Sequence, residues 1–312
     1  WRRKSTSYFK KMTLKIATRS SKLALAQVDE FVSEYNISDY KIIKIKTEGD
    51  VKSSKGETLF DKAHFVTDIQ KSILRGDADI AVHSAKDTPA KKTNGIERNF
   101  IISRTSKDVL VFKDNNNFNS SMKLGTSSLR RKLQAFHFLK STNVFDINGN
   151  VDTRLEKLYR GDYDCIILAK AGLERLRLLD ELNYEEMDWI TASGQGTLAV
   201  EMTESFHENE RLLEIHSNIK NKLATNGIEY ERNILERVDA GCNSAIAIES
   251  NSENSKQIIR GEIYGVKKFI TFSGASDLEA IEDIERQNGR RFLNEHNCCL
   301  LYTSDAADEV VR

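Results

Sequence analysis

Seven consecutive residues, Gly125-Thr126-Ser127-Ser128-Leu129-Arg130-Arg131, carry the first chemistry to stand out in the chain. A glycine turn and three hydroxyls lead into two adjacent guanidiniums, and Leu129, Leu133 and Phe136 then recur on one helical face. Free N–H groups at a helix start, hydroxyls and guanidinium forks all donate to anions. No Gly-Lys-Ser/Thr follows Gly125, so the stretch lacks a Walker lysine and a nucleotide phosphate is not favoured.

Other residues offer chemistry of a different kind. His83-Ser84-Ala85-Lys86-Asp87 follows the apolar run Asp79–Val82, and polar residues at a strand end face ligand clefts in α/β proteins. Asp87 is there either a general acid/base and cation stabiliser, or a turn residue before Thr88-Pro89, the one proline of the chain. Cys242, in Ala240-Gly241-Cys242-Asn243-Ser244, is either an exposed loop thiol able to act as nucleophile or attachment point, or an inert small hydrophobe. Cys165, inside a strand, reads as inert. Arg19 lies in Thr18-Arg19-Ser20-Ser21 between a strand and a helix, beside a serine cap. Arg104, Arg154 and Arg175 fall at or near turns. Each alone reads as a surface charge; with Arg19, Lys62, Arg130 and Arg131 they would line a basic cleft. Gly194-Gln195-Gly196 lacks the third glycine of a dinucleotide site and reads as a hinge ahead of an apolar helix.

The elements that must position these groups alternate. Strands are expected at Leu14–Thr18, Lys41–Lys46 and Asp79–Val82, with helices at Lys22–Tyr35 and Phe65–Leu74 and a mobile loop at Glu48–Glu57. A second unit repeats the pattern: strand Val109–Phe112, loop Asp114–Ser121, helix Leu129–Leu139, strand Val144–Ile147, helix Val151–Arg160 and strand Asp164–Ala169. The βαβ alternation predicts mixed, largely parallel sheets in two lobes with a cleft between them. After about residue 220 the pattern becomes a small α+β domain: helix Leu223–Arg237, strands Ala245–Ile248, Gln257–Tyr264 and Lys268–Phe272, and helix Asp277–Gln287.

Composition narrows the function. Lys+Arg and Asp+Glu are both 47 in 312 residues, so a general nucleic-acid binder, which needs a basic excess, is not expected. No apolar run approaches the roughly 18 residues that a membrane helix needs, and no secretory h-region is present. The four cysteines form no disulfide framework or CxxC pair, which fits a reducing cytoplasmic setting. Residues 1–11 and 298–312 are expected to be tails outside the core. The first is basic, with Arg and Ser and no acid, so plastid import stays open as an alternative to the cytoplasm.

Taken in order, IATRSSKLAL from Ile16, DIAVHSAKDTP from Asp79, LGTSSLRR from Leu124, GNVDTRL from Gly149, DCIILAKAGLERL from Asp164, GQG from Gly194 and ERNILERVDAGC ending at Cys242 resemble the porphobilinogen deaminases (hydroxymethylbilane synthases) of tetrapyrrole synthesis. The resemblance runs from about Leu14 to His296. It implies two lobes like those of periplasmic binding proteins plus a third domain with a cysteine loop: 14–102 with 197–218, then 103–196, then 219–297. It also implies a monomeric transferase that condenses four porphobilinogens, primed on a dipyrromethane cofactor thioether-linked to Cys242, with Asp87 catalytic. Arg19, Arg104, Arg130, Arg131, Arg154 and Arg175 fall on basic cleft positions. Ser21, Lys62, Ser84, Lys86, Thr126, Ser127, Ser128, Asn148, Gly149 and Gln195 complete the implied cofactor- and substrate-binding set. No metal, nucleotide, nucleic acid or membrane is implied.

The chain departs from the family pattern in three places. Asn148 stands where the family usually has Arg, the loop before Phe65 is shortened to Lys62-Ala63-His64, and Thr191-Ala192-Ser193 replaces a proline-containing approach to Gly194. Two other readings stay open on the sequence: a two-lobed anion-binding protein without chemistry, and an inactive paralogue.

Overall fold

The computed structural model describes residues 13–54, 65–114, 117–222, 227–241, 243–253 and 256–293. The expected tails, Lys62 and Cys242 lie outside them.

The chain builds three sheets. The first has strand order β2-β1-β3-β10-β4, using β1 (Leu14–Arg19), β2 (Tyr40–Ile45), β3 (Ile80–Ser84), β4 (Ile96–Ile101) and β10 (Leu198–Thr203). The second has the order β7-β6-β8-β5-β9, from β5 (Asp108–Phe112), β6 (Leu124–Gly125), β7 (Val144–Phe145), β8 (Cys165–Ala169) and β9 (Tyr184–Glu186). The two orders are equivalent. In each, three strands run parallel, and a returning strand (β10 or β5) is antiparallel to both its neighbours. The sheets are mixed as expected, with a larger antiparallel share than βαβ alternation alone predicts, because β10 enters the first sheet only after the chain has built the second.

Helices cover both faces of the first sheet. Val28 and Phe31 of α1 (Lys22–Glu34) and Leu212, Ile215 and Ile219 of α7 (Glu210–Lys222) pack with Leu14, Ile16 and Val200 on one face. Ile69 and Ile73 of α3 (Thr67–Leu74) meet Ala17 and Ala81 on the other. The second sheet is covered likewise by α4 (Leu129–Leu139) and α5 (Val151–Arg160), whose bounds coincide with those expected. Each such buried Leu, Ile or Val contributes about 1.5–3 kcal/mol. Ser128 caps α4, and Gly161 at φ 92° ends α5 in the left-handed region.

Two expectations are corrected. Residues 48–54, read as loop, form α2 (Glu48–Ser54); Thr47 Oγ1 accepts from Asp50 N–H at 3.2 Å, and Lys52 pairs with Glu48 one turn back. Residues 198–203, read as the start of a helix, form β10. Leu198, Val200 and Met202 face one core while Ala199 and Glu201 face the other, so a strand buried on both faces, opening on the apolar run Leu198–Val200, mimics a buried helix.

The third sheet is antiparallel, with order β11-β12-β13 from β11 (Ile246–Glu253), β12 (Lys256–Tyr264) and β13 (Phe269–Gly274). Against one face lie α8 (Ile228–Arg237) and α9 (Asp277–Arg286). Leu133 of α4 packs with Ala245, Ala247 and Tyr264 of this third unit, and His137 Nε2 lies 2.7 Å from the Gly265 carbonyl. Helix α4 therefore has its start at the Gly125–Arg131 turn and its far end on the third sheet.

The chain crosses between the first two sheets twice, through residues 102–107 and 187–197. The crossings touch: Arg104 N–H donates to the Gly196 carbonyl at 3.2 Å. Gly196 sits at φ +89°, and a Cβ there would lie 2.6 Å from the Arg104 carbonyl oxygen, so only glycine allows this approach.

Candidate active site

Carboxyl ends of parallel strands from both large sheets supply the site. Arg19 ends β1. The turn Ala85–Asp87 follows β3, the hydroxyl turn follows β6, Gly149 follows β7, and α6 (Lys170–Arg175) follows β8. Free N–H groups and short polar loops concentrate at these ends.

Two cavities result. One, of about 80 Å³, is lined by Lys86, Asp87, Ser128, Arg130, Arg131, Gln195 and Arg232, and by Gly241 and Ser244, which flank Cys242 in the sequence. Gly241 is exposed, and a Cβ on it would meet nothing within 4 Å among the described residues. The other, of about 200 Å³, is lined by Arg19, Ser21, Phe65, Ser84, Lys86, Asp87, Arg131, Gly149, Arg154 and Arg175. Lys86, Asp87 and Arg131 belong to both.

The cations of the site differ in how far they are already satisfied. Arg130 Nη1 and Arg131 Nη2 donate to the two oxygens of Asp108 at 3.0 and 2.6 Å. Burial alone would raise the Asp108 carboxyl; the guanidiniums of Arg131 and Arg130 outweigh it and hold the group well below the carboxylate range. Arg19 pairs with Asp50 of α2 at 2.5 Å and lies over the Phe65 ring. Arg175 pairs with Glu30 of α1 at 2.6 Å and donates to the Gly196 carbonyl. Arg154 is different. Its Nε donates to the Gly149 carbonyl, and among the described residues it has no carboxylate within ion-pairing distance. Burial, and then the nearby Arg131, bring its guanidinium down to about 10, opposed by Asp87. Among the described residues, the Nε of Arg131 is buried without a hydrogen-bond partner. A site with one unpaired guanidinium and one orphaned N–H donor, flanked by hydroxyls, fits a ligand that brings carboxylates.

Residues 14–211 match the family model described as "Porphobilinogen deaminase, dipyromethane cofactor binding domain". The chain belongs to the porphobilinogen deaminase family. A porphobilinogen deaminase of Prochlorococcus marinus is 33% identical over 294 residues, covering 89% of this chain and 92% of that protein. One of Nitratiruptor is 32% identical over 266 residues, covering 82% and 84%. Among solved structures, CbnR, a LysR family transcriptional regulator, aligns over 68% of this chain and 70% of that one at 11% identity with a TM-score of 0.43.

The expected porphobilinogen deaminase residues divide into four groups. Arg19, Ser21, Ser84, Lys86, Asp87, Ser128, Arg130, Arg131, Gly149, Arg154, Arg175 and Gln195 line one or both cavities. Thr126, Ser127 and Asn148 line neither. Thr126 is buried and accepts from Ser128 N–H, Ser127 Oγ donates to the Ile147 carbonyl, and the Asn148 carbonyl accepts from Lys157 Nζ at 3.0 Å. These three shape the turns on which the others stand. Arg104 faces a third cavity with Gly194 and Glu231, and pairs with Glu30 at 2.6 Å. Lys62 and Cys242 are outside the described residues. Cys165 is buried and its thiol is pushed up to about 12 by burial, which agrees with an inert role.

Asp108, Glu30 and Asp50, the carboxylates that hold the arginines, escaped the sequence reading. Only Asp108 left a signal there: a charge directly ahead of the run Val109–Phe112, where burial is expected.

Glu231 is a further buried acid beside the hinge. Gly194 N–H donates to it at 3.1 Å, and Ser250 N–H and Oγ donate at 2.9 Å. Burial pushes its carboxyl up to about 7, against the Ser250 and Gly194 donors. The folded protein thus keeps a proton that the unfolded chain releases above about 4.5, so this contribution to stability is complete at lower pH and fades as pH rises to about 7. The stability advantage of the parent over Glu231→Gln is expected to shrink across that window in urea unfolding; a difference independent of pH would contradict it.

Proposed function

We propose that the chain condenses four porphobilinogen molecules head to tail into the linear tetrapyrrole hydroxymethylbilane, releasing ammonia at each addition. The observation that carries this reading is the sharing of Lys86, Asp87 and Arg131 between the cavity beside the Cys242 loop and the cavity beneath Arg154. One acid stands where a chain anchored on one side would meet a substrate held on the other.

Cys242 would hold the dipyrromethane group, which when bound would supply the nucleophilic pyrrole carbon for the first substrate. Arg130, Arg131 and Ser128 would hold its acetate and propionate carboxylates, and the orphaned Arg131 Nε is the donor that such a carboxylate satisfies. Arg154, with Arg19 and Arg175 beside it, would receive the carboxylates of the incoming porphobilinogen; an unpaired, partly desolvated guanidinium binds a carboxylate more strongly than a solvated one. As ammonia leaves, positive charge develops on the pyrrole. Asp87 stabilises that cation and takes up the proton that the new carbon–carbon bond displaces. The paired states of Arg19 and Arg175 let them exchange Asp50 and Glu30 for substrate carboxylates as the chain lengthens.

Three domains support this: 14–102 with 197–218, 103–196 and 219–297, a division in keeping with which strands share a sheet. We take the enzyme to be a cytoplasmic monomer acting on a small molecule; the balanced charge of 47 against 47 supports the absence of a nucleic-acid partner. Among the described residues, no helix is long and apolar enough to cross a membrane. Incubation of the purified protein with porphobilinogen is expected to consume it with one ammonia released per pyrrole added. Binding without ammonia release would favour a carboxylate-binding protein instead.

A further inference from the structure

Asp108 begins β5 and is completely buried, yet it touches neither cavity. Four donors converge on it. Arg131 Nη2 and Gln195 Nε2 donate to Oδ1 at 2.6 and 2.8 Å, and Arg130 Nη1 and Trp189 Nε1 donate to Oδ2 at 3.0 and 3.2 Å. Arg130 and Arg131 are consecutive on α4, so their side chains leave the helix about 100° apart. One carboxylate nevertheless gathers both, each through a single terminal nitrogen. The rest of each fork is spoken for differently: Arg131 Nη1 donates to the Ile167 carbonyl, Arg130 Nη1 also donates to Gln134 Oε1, and Arg131 Nε has no partner.

Two guanidiniums and one carboxylate leave a net positive charge in a buried cluster, and Arg131, which carries the unpartnered Nε, lines both cavities. An uncompensated pair of adjacent guanidiniums would repel and separate. A fully neutralised pair would have nothing left for a ligand. One acid between them removes the repulsion and keeps the attraction for an anion. The same carboxylate ties in Gln195, from the crossing between the two large sheets, so the grip and the hinge share one anchor.

We infer that Asp108 is the positioning residue of the anion grip, setting Arg130, Arg131 and Gln195 for the carboxylates of the Cys242-bound group. The inference rests on the catalytic reading above and concerns how the site is built rather than what it does.

Intact-mass measurement on the folded, gel-filtered fraction of full-length protein, from cells able to make porphobilinogen, tests it. The parent is expected to carry the pyrrole modification throughout. In folded Asp108→Asn the modified-to-unmodified ratio should fall about thirtyfold or more, the loss expected when one partner of a buried charge pair is truncated. A purely structural Asp108 would lower the yield of folded protein and leave each folded molecule modified. Trp189→Phe removes one neutral donor and keeps the ring; about a threefold slower loading is expected when the unmodified protein is given porphobilinogen. Asp108 is excluded if folded D108N is modified as fully as the parent, or, where D108N gives no folded protein, if W189F loads at the parental rate. An unmodified parent would instead remove the catalytic reading, and this inference with it.

Discussion

Asp87→Ala lowers turnover of porphobilinogen about a thousandfold, the range in which a positioned acid/base and cation stabiliser operates, while the protein still carries its cofactor or a stalled chain. The separation follows from where Asp87 stands. It lies on the short turn after β3, in the wall common to both cavities, while the residues gripping the bound chain come from α4 on the other lobe. Removing the carboxylate takes away the charge that meets the developing pyrrole cation and leaves the anion grip intact. Steady-state rates with the mass of the same preparation check both halves. Near-normal turnover would take Asp87 out of the mechanism.

The second large effect belongs to Arg131. Arg131→Leu leaves the buried carboxylate of Asp108 with one guanidinium fewer, and breaking such a pair costs about 3–5 kcal/mol. Arg131 is only 8% exposed and Asp108 0%, so water cannot replace the lost partner. The same substitution removes the orphaned donor, and loading of the cofactor should fail even in the molecules that fold. Arg104 is the contrast. Sequence alone groups it with the cleft arginines, but its side chain is 39% exposed and paired to Glu30 of α1. Arg104→Leu should cost about 0–1 kcal/mol, as exposed pairs do, and leave loading unchanged. Urea unfolding and intact mass on the two variants decide it; equal behaviour would show that the cavity walls are assigned wrongly.

What was legible in the sequence and what was not have different physical origins. Helices α4 and α5 were read to the residue because their signals are local: a serine cap at Ser128, apolar residues at helical spacing, and Gly161 ending the second in the left-handed region. Arg19, Asp87 and the hydroxyl turn were legible as strand-end motifs for the same reason. Asp108 was not, because its role depends on residues 22 and 23 positions away on another element. Glu30 serves Arg104 and Arg175 from 74 and 145 positions away. β10 was misread because a strand covered on both faces loses the alternation that marks a half-exposed one. Its antiparallel partners β3 and β4 lie about a hundred positions earlier. At Arg154 a turn fixes the backbone, so its place in the cleft is legible locally, whereas at Arg104 a distant counter-charge decides.

In the proposed reaction a pyrrole chain is anchored in the smaller cavity and grows toward Asp87. Intact mass of the full-length protein, purified from cells able to make porphobilinogen, followed by peptide mapping, reads that anchor. Two covalently linked pyrrole units on Cys242, a colour reaction with Ehrlich's reagent, and an unmodified mass for Cys242→Ala are expected. An unmodified parent, or a modification at a residue other than Cys242, would contradict that anchor.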